Sequence, residues 1–112
     1  MKVENTKAQM RKGILELCIL QLLHQRSAYA NEIISALKEQ ELIVVEGTLY
    51  PLLTRLKNDG LLEYRWEESN AGPPRKYYSI TEAGCAAQQE LQKTWQQLAQ
   101  AVKATQQNPK PS

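Results

Sequence analysis

The sequence predicts a mainly α-helical protein with a small β-hairpin. Three observations predict it. Leu49, Leu52, Leu53 and Leu56 recur at i, i+3, i+4 and i+7 in mid-chain, the mark of an amphipathic helix. Just beyond Gly60 the period falls to two: Leu62, Tyr64 and Trp66 alternate with Glu63, Arg65 and Glu67, as in a half-buried strand. After the hairpin comes a long helical pattern with only one apolar side, Leu91, Trp95, Leu98 and Val102.

The first helix spans about Thr6 to Gln25, a run of good helix formers without proline. Its apolar residues, Met10 and Ile14 through Leu23 among them, cover more than one stripe. Such a helix is expected to pack on two sides, one toward its own core and one toward a partner subunit. Ser27-Ala28-Tyr29-Ala30 leads into a second short helix ending near Gln40, with Ile33, Ile34 and Leu37 inward. Glu41 to Val45 turns extended, as β-branched residues favour. The third helix runs from about Glu46 to Asp59, with Pro51 near its first turn, where a missing donor costs least, and Gly60 as its stop.

Leu62 onward forms one strand and Lys76 to Ile80 its return. Ser69 to Pro74 is dense in turn residues and reads as a long hairpin tip. Thr81 caps the last helix and Glu82 complements its positive end. That helix continues to about Ala104. Three helices and a hairpin make a winged helix-turn-helix. The added C-terminal helix has little of its own chain left to pack on, so it is expected to dimerise. The organisation expected is therefore a winged helix-turn-helix domain, a fold suited to DNA binding, over residues 1–80, a dimerisation helix over 81–105 and a loose tail over 106–112.

Size and charge bound the function. With 112 residues, one domain is expected, without room for a separate substrate domain. The net charge of +2 permits nucleic-acid binding without arguing for it. The polar start lacks a signal-peptide core, and the apolar run Ile14–Leu23 is too short for a bilayer. A cytoplasmic protein without membrane association is expected. Cys18 and Cys85 form no metal-binding pair, and Cys18 reads as packing. His24 ends its helix and reads as a C-terminal cap. No metal or cofactor is expected. Neither is catalysis, since no nucleophile–base pair or phosphate loop appears.

Two blocks resemble a known family. Gly47-Thr48-Leu49-Tyr50-Pro51-Leu52-Leu53-Thr54-Arg55-Leu56-Lys57-Asn58-Asp59-Gly60 is similar to the recognition-helix signature of PadR-family regulators. Pro74-Arg75-Lys76-Tyr77-Tyr78-Ser79-Ile80-Thr81-Glu82-Ala83-Gly84 resembles that family's second wing strand and the start of its last helix. The short chain with one C-terminal helix looks like the smaller subfamily, which includes multidrug-sensing regulators. One departure is visible. Many members open the second helix with Gly-Tyr, but here Ala30-Asn31 stand there, with Tyr29 just before.

The resemblance implies that the third helix enters the major groove of DNA. With the leucines inward, Thr48, Tyr50, Pro51, Thr54 and Arg55 fall mainly on its polar side. Arginine can pair with guanine or phosphate, and hydroxyls with either. For Arg55, a salt bridge to Asp59 or Glu46 is the rival reading. Arg75 and Lys76 begin the return strand, where the resemblance implies phosphate or minor-groove contact. A charge pair with Glu67 or Glu68 is the alternative for Arg75. Tyr29 joins the DNA-contacting set. Lys7, Arg11 and Lys12 form a basic patch that either touches phosphate or is simply solvated.

Trp95 follows Gly84 by eleven residues, the offset at which multidrug-sensing members carry a ligand-stacking tryptophan. By that resemblance Trp95, with Leu17, would line a site for a planar aromatic effector between subunits. The indole offers stacking and cation–π attraction. The alternative is that Trp95 fills the dimer interface together with Leu91, Leu98, Val102, Ile14 and Leu17. The function expected is a homodimeric repressor on a roughly palindromic double-stranded operator. The alternative is a protein-interaction module that kept the shape without DNA binding.

Overall fold

A computed structural model of the chain describes residues 2–107. The elements are α1 (Val3–Gln25), β1 (Ala28–Tyr29), α2 (Ala30–Glu39), α3 (Glu46–Asn58), β2 (Leu62–Ser69), β3 (Gly72–Ile80) and α4 (Glu82–Gln107). This is the mainly helical winged fold read from the sequence, with three strands where two were expected. The strands form one antiparallel sheet in the order β1-β3-β2. Ala28 pairs with Tyr78 and Tyr29 with Tyr77. The Ser27 and Ser79 hydroxyls, 2.7 Å apart, fasten the start of that short pairing.

The core lies where α1, α2, α3 and the sheet meet. Ile19, Leu20, Ile33, Leu49, Leu53 and Leu56 are fully buried, and Leu62 and Tyr78 close it from the sheet. Each such side chain contributes about 1.5–3 kcal/mol on burial. Cys18 packs against this core, and burial pushes its thiol pKa up. That agrees with a packing role.

Two helix ends share one device. After α3, Gly60 adopts φ +79°, its N–H bonds Lys57 C=O and the Leu61 N–H bonds Leu56 C=O. This paired closure satisfies carbonyls that the helix end leaves open. After α2 the same pattern appears: Glu41 N–H to Lys38 C=O and Leu42 N–H to Leu37 C=O. Here the left-handed position, φ 62°, is held by Glu41 and not by glycine. The segment Leu42–Val45 lies outside the sheet and crosses from α2 to α3.

The wing differs from expectation at its tip. The long loop is in fact tight, because Ser69 already pairs with Gly72 and only Asn70 and Ala71 turn. Pro73 and Pro74 belong to β3. They fall at an irregularity in the ladder, between the Glu67–Arg75 and Ser69–Gly72 pairs. Two residues there oppose Glu68 alone, and β1 does not reach that far. A bulge on an open edge accommodates residues without a backbone donor.

Thr81 caps α4 as expected: its Oγ1 accepts the Gly84 N–H at 3.0 Å and donates to Gly60 C=O at 2.7 Å. Gly84 is required by close approach. A Cβ there would collide with Leu61 C=O and lie 2.6 Å from the Ile80 side chain. The helix runs on to Gln107, so the first two residues of the expected tail are helical. The rest of that tail, 108–112, lies outside the described residues.

Candidate nucleic-acid interface

Helical geometry sorts α3 into four faces. Leu49, Leu53 and Leu56 are buried. Pro51, Thr54 and Asn58 share the opposite, exposed face at i, i+3 and i+7 spacing. Tyr50 and Lys57 turn toward the wing, where the Lys57 ammonium stands 5.9 Å from the Tyr64 ring. Thr48 is exposed at the N-terminal turn. Arg55 turns toward α1, and its Nη1 donates to Glu16 Oε1 at 2.8 Å. The expected rivals Asp59 and Glu46 do not take it; the partner is 39 residues away in sequence.

Between α3, the start of α2 and the wing lies a cleft of about 380 Å³. Tyr29, Tyr50, Arg75 and Lys76, all named from sequence, line it together with Asn31 and Trp66. Pro51, Thr54 and Arg55 border a second, shallow depression with Tyr50 and Asn58. All the sequence-derived residues but Thr48 therefore line two adjoining hollows, with Tyr50 common to both.

The wing cations rest on aromatic rings. The Arg75 guanidinium lies 4.0 Å from the Tyr29 ring centroid. The Lys76 ammonium lies 4.5 Å from that of Tyr64 and 5.5 Å from that of Trp66. Glu67 stands opposite Arg75 in the ladder, yet its carboxylate accepts from Arg65 Nε at 2.6 Å. Among the described residues no carboxylate pairs with Arg75. The expected alternative, a cross-hairpin pair with Glu67 or Glu68, is thus replaced by a cation–π stack. At the cleft floor the Tyr78 hydroxyl pKa is raised, first by burial and then by Tyr50 and Tyr64.

Asn31, Trp66, Lys57 and Asn58 belong to this surface and were missed from sequence. Trp66, 62% exposed, reads from its alternation only as a strand residue. Lys57 and Asn58 look like a helix terminus. The usable signal was periodic, since Asn58 follows Thr54 by four and Pro51 by seven. Of the first-helix basic patch, Lys7 pairs with Glu4 at 3.4 Å, while Arg11 and Lys12 are exposed.

A second surface carries the residues expected at a subunit interface. Leu91, Trp95, Leu98 and Val102 are all exposed along one stripe of α4, Trp95 by 42%. Ile14 is half-buried. Leu17 is only 6% exposed within the single chain. His24 lies 3.5 Å through Nδ1 from Cys85 Sγ. The sequence reading found no cysteine near it, because the two are brought together only by the packing of α1 on α4. Among the described residues, no group of three or more His, Cys, Asp or Glu gathers to hold a metal. No described helix is long and apolar enough to cross a membrane.

A three-helix core with a paired-strand wing and an exposed, cation-flanked third helix defines a winged helix-turn-helix transcription regulator. The model of the transcriptional regulator PadR-like family matches residues 19–93, and the chain belongs to that family. A PadR-like transcription factor of Bacteroides fragilis is 60% identical in sequence. Its crystal structure superposes with a TM-score of 0.77 over 89% of this chain and 97% of that one. A PadR-like regulator of Bacillus cereus is 37% identical, with a TM-score of 0.75 over 88% and 97%. A transcriptional regulator of Mycobacterium tuberculosis is 41% identical over 90 residues, 74% of this chain and 79% of that protein.

Proposed function

We propose that the chain is a homodimeric, sequence-specific DNA-binding repressor of the cytoplasm. The observation that carries this reading is the outer face of α3. Pro51, Thr54 and Asn58 stand exposed there, and Tyr50, Arg75 and Lys76 line the adjoining cleft. Residues 1–80 form the DNA-binding unit. α3 lies in the major groove of double-stranded DNA, reading bases through Thr48, Tyr50, Thr54 and Arg55, with Pro51 packed on the groove wall. Arg75 and Lys76 on the wing, and Tyr29 beside them, meet the sugar-phosphate backbone.

Residues 81–105 of α4 join two copies through Leu91, Trp95, Leu98 and Val102, with Ile14 and Leu17 of α1 behind them. The exposure of that stripe supports the assignment. A two-fold dimer reads a roughly palindromic operator with half-sites one helical turn or a multiple apart. By likeness to the small multidrug-sensing subfamily, a planar aromatic effector enters between the subunits and stacks on Trp95. It releases DNA by favouring a spacing of the recognition helices that fits the operator less well.

The test is a gel shift with the DNA upstream of the chain's own gene, at two salt concentrations and with nonspecific competitor. Specific binding that weakens steeply with salt is the expected result. Loss of the shift to competitor at low salt would move the assignment toward a protein-interaction module.

A further inference from the structure

The Arg55–Glu16 pair is unlike an ordinary surface ion pair. The Glu16 side chain is 17% exposed and the Arg55 side chain 65%. Glu16 lies on α1 next in sequence to buried Leu15 and Leu17, and its own side chain is largely covered, which limits the freedom of its carboxylate. Among the described residues it pairs with no other cation. The bond uses Nη1 alone. Guanidinium carries five donors in a rigid fork, so Nη2 and Nε remain for a second, planar partner. Arg55 also borders the same depression as Pro51, Thr54 and Asn58. One side of the fork is therefore anchored to α1 while the cation stands at the edge of the reading face.

We propose that Glu16 is a positioning residue for base recognition: it holds Arg55 so that its remaining donors address one guanine in each half-site. This rests on the DNA-binding reading and deepens it by assigning the guanine preference. A long arginine free to rotate neutralises any nearby phosphate. One tethered at Nη1 presents a defined edge, and a bidentate match to guanine O6 and N7 discriminates against other bases. Glu16 at the same time places a negative charge near DNA, which repels phosphate whatever the sequence. The two effects are separable. Glu16 lowers affinity for all DNA and raises the preference for one base.

The experiment selects binding sites from a randomised duplex pool with the full-length wild type, Glu16→Gln and Arg55→Ala. Affinities for the selected and for a scrambled duplex are measured at fixed salt. Circular dichroism and thermal melting monitor the fold. Arg55→Ala should erase one guanine position per half-site, a loss of about 10-fold or more in discrimination. Glu16→Gln should lose most of the preference at that same position while binding scrambled DNA as tightly as wild type or more so. A Glu16→Asp variant should recover part of the preference. If Glu16→Gln tightens binding and keeps the guanine, Glu16 is only a counter-charge and the proposal is overturned. If Arg55→Ala keeps the full site, Arg55 does not read a base and the proposal fails while the regulator stands. A wild type that selects no site at all removes both.

Discussion

The guanidinium of Arg75 lies 4.0 Å from the Tyr29 ring centroid, which ties the wing to the residue preceding α2. Tyr29 itself is held from two sides. Its N–H donates to Glu32 Oε1 at 3.0 Å, and its ring meets Tyr77 at 4.8 Å between centroids. The arginine is thus parked on a rigid ring before any DNA arrives. Tyr29→Leu is expected to weaken operator binding by about 1 kcal/mol, roughly fivefold, through loss of this ordering. Tyr29→Phe keeps the ring and should lose less, only what the hydroxyl adds at the sugar-phosphate backbone. Gel-shift titration of both variants checks the pair, and equal loss in both would assign the effect to the hydroxyl instead.

Removal of Arg55 and Arg75 together is expected to abolish specific DNA binding while leaving the oligomeric state unchanged. Neither side chain belongs to the core. The check is a gel shift beside size-exclusion chromatography with light scattering. A double Ala variant that changes mass would connect the interface to assembly rather than to DNA alone.

Glu41 occupies a left-handed position, φ 62°, in the turn between α2 and α3. A non-glycine residue there costs about 1–2 kcal/mol of local strain. Glu41→Gly gives back part of this in unfolded-chain entropy. A net gain of about 0.5–1 kcal/mol in stability is expected, read as a higher midpoint in urea denaturation with unchanged slope.

Gly84 faces the backbone of Leu61 and the side chain of Ile80 without room for a methyl group. Gly84→Ala is expected to cost about 2–3 kcal/mol, because the first obstacle is a carbonyl and not the end of a flexible side chain. Denaturation of the variant measures it. Gly13 and Gly47, whose surroundings are open, serve as controls on α1 and α3.

Trp66 and Trp95 are the two tryptophans of the chain, one on the wing and one on α4. A Trp66→Phe variant therefore isolates the Trp95 signal. Titration with planar aromatic cations should quench or shift its fluorescence if Trp95 stacks on an effector. An unchanged spectrum across such a panel would leave Trp95 with interface packing only.

The sequence showed most where one side chain's environment repeats with a period. The leucines of α3 and the stripe of α4 were legible for that reason, and the Gly60 stop and Thr81 cap because each residue type suits a helix end. β1 was not. Two residues, Ala28 and Tyr29, cannot display an alternation, and they become a strand only because Tyr77 and Tyr78 lie beside them. The wing tip was misread because Pro73-Pro74 normally signals a turn, whereas an open edge and a bulge at Glu68 let both stay in β3. At the interface, residue types marked Tyr50, Arg55 and Arg75. Their partners Glu16 and Tyr29 lie 39 and 46 residues away from Arg55 and Arg75, beyond any local pattern.

The single hydroxyl of Thr81 bonds both Gly60 at the end of α3's closure and Gly84 in the first turn of α4. Seen mechanically, this is a pivot with arms of unequal length. α4 carries 26 residues beyond it, an arm of about 39 Å at 1.5 Å per residue. A swing of about five degrees at the pivot displaces the far end by roughly 3 Å. Run in reverse, a push of that size at the distant tip turns the near end only slightly. By the same lever, a small reorientation beside α3 is carried outward as a larger displacement along α4.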